Sequence, residues 1–580
     1  MTTVPRETSP SRPSRGTAVP ARRGVAPPGL ARRRSYPQVE PGAAALVDVA
    51  VVPVRAAATV GEALRQVRAR DAGLAAAGDR WVTRQDLARA AHLGLDGLRA
   101  DALARPLPVV DARASEVTVR RHLAAGAALV VVRGRRGPAG AVAAAGAMAP
   151  PSLGARFAGR LSETARHALG AAARVAAEIG ARAYVAGGTV RDALIARGAR
   201  RDLDVVVEGD GLALARALAA ALGPGAVVVE HARFLTASVT VESLGRIDVA
   251  TARAERYERP GALPRVVPAT IGEDLARRDF SVNAMAVDLA CGVFALLDPF
   301  GGRADAARRR LRVLHPLSFV EDPTRIFRAA RYAARLGFAI DAWTARAQQL
   351  ALRLGPYPAL SGQRLLAEID LILGDAEPAA ALRRLGAGGV FRLLDPRYRF
   401  GPATAERLDR LPARLARGRE QGLRVAPAEV AVLALLADQP REVAAAALAR
   451  LGFTGEPRAR LEHALEAGAA TAQALAGAAR PSARAALLRG RSDVELAWIA
   501  LVGGPAAQAA VAWFQASARD ARPTLGGDDV VGLGVPRGAA VTGVLAALRD
   551  GRLDGALGSR EDEAGFVRDW VQAHDAGRED

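Results

Sequence analysis

The 580-residue sequence has no lysine, one cysteine and no long apolar run, and each absence removes a class of protein. A lone cysteine, Cys291, cannot build an internal disulfide framework and is compatible with a reducing cytoplasm. No uninterrupted apolar stretch approaches the roughly 18–20 residues needed to cross a bilayer, so no membrane partner and a cytoplasmic location are expected. The first residues, Met1 to Arg34, are rich in Arg, Pro and Ser and lack an apolar h-region. Residues 1–45 therefore read as a disordered basic arm rather than a secretory signal.

Without lysine, the 80 basic residues are all arginine, set against 60 acidic ones for a net charge of +20. Two readings of that excess stay open. A basic chain suits a polyanionic partner, because each arginine at a phosphate displaces a condensed counterion. A GC-rich genome also favours Ala, Arg and Gly, and would give the same bias without any function.

The length exceeds one hydrophobic core and predicts two to four domains. From 46 to 150, short β-type runs (Val49–Val54, Leu129–Val132) alternate with helical stretches (Val60–Ala69, Arg84–Ala91). The pattern occurs twice and suggests a pair of small α/β modules. From 160 to 300, helix and strand alternate as in an α+β domain. Strands are expected at Ala183–Ala186, Asp202–Glu208, Val239–Ala250 and Met285–Pro299, the last a hairpin turned at Cys291-Gly292. After Asp298 the pattern is helical almost without interruption, divided here into 301–375, 376–515 and 516–580.

The stretch "VAGGTVRDALIARGARRDLDVVVEG" is the most informative. Gly187 and Gly188 sit between a strand and a helix, where their backbone N–H groups can crowd a phosphate that a Cβ would keep away. Arg191, in the first turn of that helix, can reach the same anion with a bidentate fork. Asp202 and Asp204 flank Leu203 on a strand, and a period of two sends both carboxylates to one face. Paired carboxylates repel unless cations lie between them, and hard oxygen ligands beside a phosphate cradle favour Mg²⁺. Alone, such a pair would more often be a solvated strand end. Asp248 in "GRIDVATAR" offers a third carboxylate or simply ends its strand.

These residues, followed in order by "EDLARRDFSVNAMAVDL", "LLDPFGG" and "FVEDPTRIFRAARYAARLGF", resemble the class II tRNA nucleotidyltransferase and bacterial poly(A) polymerase family. A final "LGGDDVVGLGVPRGAAVTGVLAALRDGRLDG" is similar to that family's C-terminal tail. The resemblance covers about Leu161 to Val571. It implies an α+β nucleotidyltransferase head followed by an all-α neck, body and tail, and Mg²⁺-dependent addition of CCA, or its terminal A, from ATP or CTP to the 3′ acceptor end of tRNA. It also implies roles. Gly188 and Arg191 contact the nucleotide, and Asp202 and Asp204 hold metal and carry catalysis. Arg278 meets the triphosphate, Asp279 and Asn283 lie at the sugar, and Asp322 and Arg325 read the base edge. Arg328 and Arg331 approach the nucleotide or its phosphates. Asp322-Pro323 also reads as a plain helix start, an N-cap followed by Pro at the first helical position. Arg325, Arg328, Arg331 and Arg335 also read as a solvated ridge. The segment from Thr251 to Asp274 resembles the flexible loop that A-adding members use. Rival functions are a poly(A) polymerase and an inactive RNA- or adenosine-nucleotide-binding regulator.

Residues 49–145 resemble a degenerate pair of CBS modules, which hold adenosine nucleotides in other proteins. Thr83-Arg84-Gln85-Asp86 matches their ribose-binding turn, while "GAVAAAG" in the second half lacks it. A structural or RNA-binding part and an adenosine-nucleotide site are the alternatives there.

Overall fold

The computed structural model describes residues 42–144, 157–195, 203–242, 245–290 and 294–576. Most of the basic arm, Asp202 and the turn at Cys291-Gly292 lie outside the described residues.

Two βαββ units open the chain. The first comprises β1 (Val51–Pro53), α1 (Val60–Ala69), β2 (Leu74–Ala77), β3 (Arg80–Thr83) and α2 (Arg84–His92). The second comprises β4 (Val109–Asp111), α3 (Glu116–Ala124), β5 (Leu129–Gly134) and β6 (Gly137–Ala143). In each, the first two strands pair parallel and the last two antiparallel. Their helices start at side-chain caps. Thr59 and Glu62 form a capping box before α1, and Thr83 Oγ1 accepts from the Asp86 amide at 3.0 Å before α2. Such caps satisfy amides that the helix itself leaves unpaired.

The head follows, beginning with α4 (Glu163–Glu178). Its seven-stranded sheet is built from β7 (Arg182–Ala186), β8 (Leu203–Glu208), β9 (Ala226–His231), β10 (Thr236–Val241), β11 (Gly245–Thr251), β14 (Ala286–Asp288) and β15 (Ala295–Leu297). The order is β15-β14-β7-β8-β11-β10-β9. Between strands lie α5 (Gly188–Leu194) and α6 (Gly211–Leu222). Leu203, Val205, Val207, Ile247 and Val249 point into a core shared with α4 and α6. Alternation then delivers Asp204 and Asp248 to the opposite face. The expected single strand Val239–Ala250 is in fact two, β10 and β11, paired antiparallel. The β-type alternation has the same phase on both sides of the connection, which makes two strands read as one.

The segment from Thr251 to Asp274, expected as a flexible loop, forms a β-hairpin of β12 (Arg253–Arg256) and β13 (Arg265–Pro268) before α7 (Ile271–Ala276). From α8 (Gly302–Ala307) onward the structure is helical apart from a two-residue bridge, β16 (Arg310–Leu311) with β17 (Ala339–Ile340). Helices α9 (Ser318–Glu321), α10 (Thr324–Leu336), α11 (Ala342–Leu354) and α12 (Gly362–Leu373) adjoin the head. Helix α10 buries Ile326, Phe327, Ala329, Ala330, Ala333 and Leu336, a stripe at three- and four-residue spacing that faces the core. The helices of 378–518 share that core, and 525–571 have their own, around Val530, Val544, Leu548 and Val567. Among the described residues no helix is long and apolar enough to cross a membrane.

One continuous apolar core joins the first βαββ unit to the helices. Val52, Val60, Leu64, Val82 and Leu87 belong to the same buried cluster as Phe280, Val313, Phe319, Leu408 and Trp498.

Candidate active site

A cleft of about 500 Å³ opens where the head sheet meets α10. One wall starts at Gly187, the single residue between β7 and α5. Its φ is +77°, and a Cβ there would lie 2.6 Å from Arg278 Nη1. The positive φ favours glycine, and a side chain there would have to displace the Arg278 guanidinium. Gly188, Arg191 and Arg278 line this wall.

The floor is acidic. The parallel register of β8 and β11 sets Asp204 beside Asp248, and both line the cleft. Asp248 Oδ1 accepts from Ser238 Oγ and Arg246 Nε, each at 2.7 Å. Carboxylates on adjacent strands form a hard oxygen donor set that fits a divalent cation. Among the described residues, no three His, Cys, Asp or Glu side chains are grouped closely enough to hold a metal by themselves. Asp202, the expected partner of Asp204, lies outside the described residues.

A buried polar chain ties the two walls together. Arg191, 1% exposed, donates from Nη1 to Asn283 Oδ1 at 2.6 Å. Asn283 Nδ2 donates to Asp279 Oδ1 at 2.9 Å, and Arg328 Nε donates to Asp279 Oδ2 at 2.9 Å. Burial alone would raise the Asp279 pKa. The Arg328 guanidinium and the hydrogen bonds from Asn283 and Arg328 outweigh burial and draw it down to about 2. Both carboxylate oxygens of Asp279 are engaged by protein donors, so its geometry is that of an anchor for Arg328. Arg278 is held by the Asp274 carboxylate at 2.9 Å, and Arg277 by Asp274 and Glu255, each at 2.7 Å.

The far end holds Asp322 and Arg325. Asp322 Oδ1 accepts from the Thr324 amide at 3.0 Å, from Thr324 Oγ1 at 2.7 Å and from Arg364 Nη2 at 2.8 Å. The expected helix start is thus displaced by one residue. Pro323 occupies the N-cap position and Asp322 caps from before it. Arg325 is 5% exposed and donates to Ser318 Oγ, Tyr257 Oη and the Arg277 carbonyl. The reading of a solvated arginine ridge fails for three of the four, because Arg325 is buried and Arg331 and Arg335 are only 12% and 17% exposed, while Arg328, 36% exposed, is paired with Asp279.

Those arginines gather around one ring. The guanidinium carbons of Arg191, Arg328, Arg331 and Arg335 lie 5.0–5.7 Å from the Tyr332 centroid, within range of cation–π attraction. Arg331 nevertheless does not line the cleft. Its Nη1 is 3.8 Å from Asp375 Oδ2, whereas Arg335 is a lining residue. On a helix, Arg335 stands about 20° from Arg328 in projection and Arg331 about 60° away, which turns Arg331 to the flank.

Of the residues named from the sequence, Gly188, Arg191, Asp204, Asp248, Arg278, Asp279, Asn283, Asp322, Arg325 and Arg328 all line this one cleft. Sequence reasoning did not single out Glu255, Tyr257, Arg277, Tyr332 or Arg364. Arg277 stands beside Arg278 in "ARRDF" and Tyr332 within the arginine repeat, so both had a local signal. Arg364, 42 residues beyond Asp322, had none. Seven arginines and five acids line the cleft, a balance suited to a polyphosphate bound with a cation.

Residues 183–312 match the family described as "Poly A polymerase head domain". A relative named A-adding tRNA nucleotidyltransferase, from Geobacter sulfurreducens, is 36% identical over 391 residues, covering 66% of this chain and 44% of the relative. The chain spans from about a quarter to just over half the length of the first curated relatives it matches. Among solved structures, an apo CCA-adding enzyme aligns with TM-score 0.65 and 28% identity, covering 72% of this chain and 98% of that one. The Thermotoga maritima CCA-adding enzyme complexed with tRNA aligns with TM-score 0.58 and 26% identity, covering 72% and 97%.

Proposed function

We propose that this chain, which belongs to the class II tRNA nucleotidyltransferase family, adds CCA or its terminal A to the 3′ end of tRNA in the cytoplasm, using ATP and CTP. The observation that carries this reading is the pairing of Asp204 with Asp248 in an arginine-lined cleft that Asp322 and Arg325 also line.

The family uses a divalent metal. Asp202, Asp204 and Asp248 would hold Mg²⁺, which when bound makes the RNA 3′ hydroxyl a better nucleophile and neutralises the departing pyrophosphate. Gly188, Arg191 and Arg278 receive the triphosphate. Asp279 and Asn283 hold Arg191 and Arg328 in place, so these cations need no rearrangement when substrate arrives. The 3′ hydroxyl attacks the α-phosphate in line, and catalysis is largely positioning and charge neutralisation. At the base end, Asp322 accepts and Arg325 donates, so a protein pair replaces a template strand. Because Asp322 Oδ1 is occupied by Thr324 and Arg364, Oδ2 is the oxygen directed to an amino group of the base.

The division of labour proposed is a catalytic head (160–300), a base-reading neck (301–375), a helical body (376–515) and a tail that grips the tRNA (516–580). RNA would be read by shape and backbone. The N-terminal units (46–150) serve as a structural part rather than a nucleotide sensor. The Thr83 hydroxyl already caps α2, and the first unit shares its core with the neck.

Purified protein with Mg²⁺ is given tRNA lacking CCA or tRNA ending in CC, with labelled CTP or ATP separately. C on the first and A on the second marks a CCA enzyme, and a single A on the CC-ended tRNA alone marks an A-adding one. Long A tails on any RNA would establish a poly(A) polymerase, and no incorporation would leave the binding-protein alternative.

A further inference from the structure

Helix α2 of the first βαββ unit sends one side chain into the neck. Arg89 Nη1 donates to Glu321 Oε1 at 3.0 Å and Oε2 at 3.2 Å, and lies 2.9 Å from His315 Nε2. Glu321 and His315 are each 7% exposed at the side chain. His315 is held neutral, because burial first and Arg89 second push its pKa well below the ordinary value. It therefore accepts from Arg89 at Nε2 and brings no charge of its own.

Glu321 ends α9 and immediately precedes Asp322, whose extended backbone separates it from Arg325 on α10. Its carbonyl, with that of Val320, accepts from the amide of Gly261 at the tip of the β12–β13 hairpin. Arg325 is shared among Ser318, Tyr257 and the Arg277 carbonyl, and Glu255 Oε2 lies 3.8 Å away. Glu255 is itself held by Arg277 at 2.7 Å, and Glu321 acts on Arg325 through charge alone, while Arg89 is the cation that hydrogen-bonds Glu321. Removing one partner of a buried pair leaves a charge that must find another cation or take up a proton. His315 Nε2, 3.4 Å from Glu321 Oε2, is kept neutral by burial, so the next charged group acting on Glu321 is Arg325, at the base-reading end of the cleft.

We propose that Arg89 is a positioning residue for nucleotide selection: by holding Glu321 from the N-terminal unit, it fixes where Asp322 and Arg325 stand. The unit thereby contributes to specificity without touching nucleotide or RNA. The inference rests on the function proposed above, and deepens it by placing one specificity determinant about 230 residues away in sequence.

The test measures single-nucleotide incorporation by the full chain on tRNA ending in CC, with ATP or CTP varied. Arg89→Met is expected to raise the KM for ATP about tenfold and to narrow the preference for ATP over CTP, with kcat within about threefold of wild type. Adding Glu321→Gln to Arg89→Met removes the stranded charge and is expected to restore KM and preference. Arg89→Lys keeps the cation but not the fork and is expected to show an intermediate KM. It supplies the reading if Arg89→Met does not fold. Wild-type KM and preference in Arg89→Met and Arg89→Lys would overturn the proposal, whether or not the Tm falls. So would a loss that Glu321→Gln does not relieve. An inactive wild type would overturn the proposed function instead, and the two failures are distinguishable.

Discussion

Asp279 holds Asn283 on one carboxylate oxygen and Arg328 on the other, and so joins the head to helix α10. Its pKa lies at about 2, below an ordinary value near 3.8. A depressed carboxyl contributes stability that is complete above the unfolded pKa and is lost as pH falls through the folded one. The contribution is roughly 2 kcal/mol, present above about pH 4 and lost between about pH 4 and pH 2. Denaturant midpoints measured at pH 5 and pH 3 are expected to differ more for wild type than for Asp279→Asn. Equal differences would refute the linkage.

Asp204→Asn is expected to lower incorporation by about a thousandfold with little change in Tm, since the amide keeps the size of the side chain and loses the charge proposed to hold the metal. Asp248→Asn should cost about a hundredfold, because Arg246 and Ser238 can still bind the amide oxygen and hold the side chain in place. Chelation of divalent ions should silence the wild type, and Mg²⁺ should restore it. Undiminished incorporation by Asp204→Asn would remove the metal from the mechanism.

Tyr332→Leu keeps the volume of the helix face but takes away the ring that four arginines surround. Each cation–π contact is worth about 0.5–1 kcal/mol at partly exposed sites, and repulsion among the cations is then less well offset. The KM for ATP should rise by about tenfold, while Tyr332→Phe stays near wild type. A Tyr332→Leu enzyme with unchanged KM would mean that the arginines hold their positions without the ring.

Gly261 has φ +74°, and a Cβ there would come within 2.9 Å of Tyr357 Cβ. Gly261→Val should therefore cost about 1–3 kcal/mol locally and lift the hairpin tip from the neck. Terminal A addition should fall more than C addition, as read on tRNA ending in CC and on tRNA lacking CCA. Equal losses of both would show that the hairpin supports the cleft without selecting the base.

The parts of the site legible in the sequence are those set by short-range geometry. A glycine pair between strand and helix placed Gly188 and Arg191, and the strand period placed Asp204 opposite Leu203 and Val205. What escaped depends on distant packing. Arg325 was placed by the resemblance alone; by its spacing it reads as a surface arginine, whereas Ser318, Tyr257 and a carbonyl of α7's C-cap close around it. Arg364 reaches Asp322 and the Gly261 carbonyl from α12, with no spacing to announce it. The β10–β11 connection was missed because "VTV" and "RIDVA" alternate in the same phase on either side of it, so the break at Ser243-Leu244-Gly245 was read through. Arg331, expected beside Arg328, turns to the flank of α10 toward Asp375, a placement that depends on how the helix packs.

The unbroken apolar core from Val52 to Trp498 has a consequence for melting. Elements that bury the same side chains lose them together, so the first βαββ unit belongs to the cooperative unit of the neck and body. Calorimetry should record them in one transition. The segment around Val530, Val544, Leu548 and Val567 keeps its own core and is the piece able to melt separately. Exchange between homologous chains would follow the same seam: a tail can be traded as a cassette, whereas removing the first unit would open the neck to water.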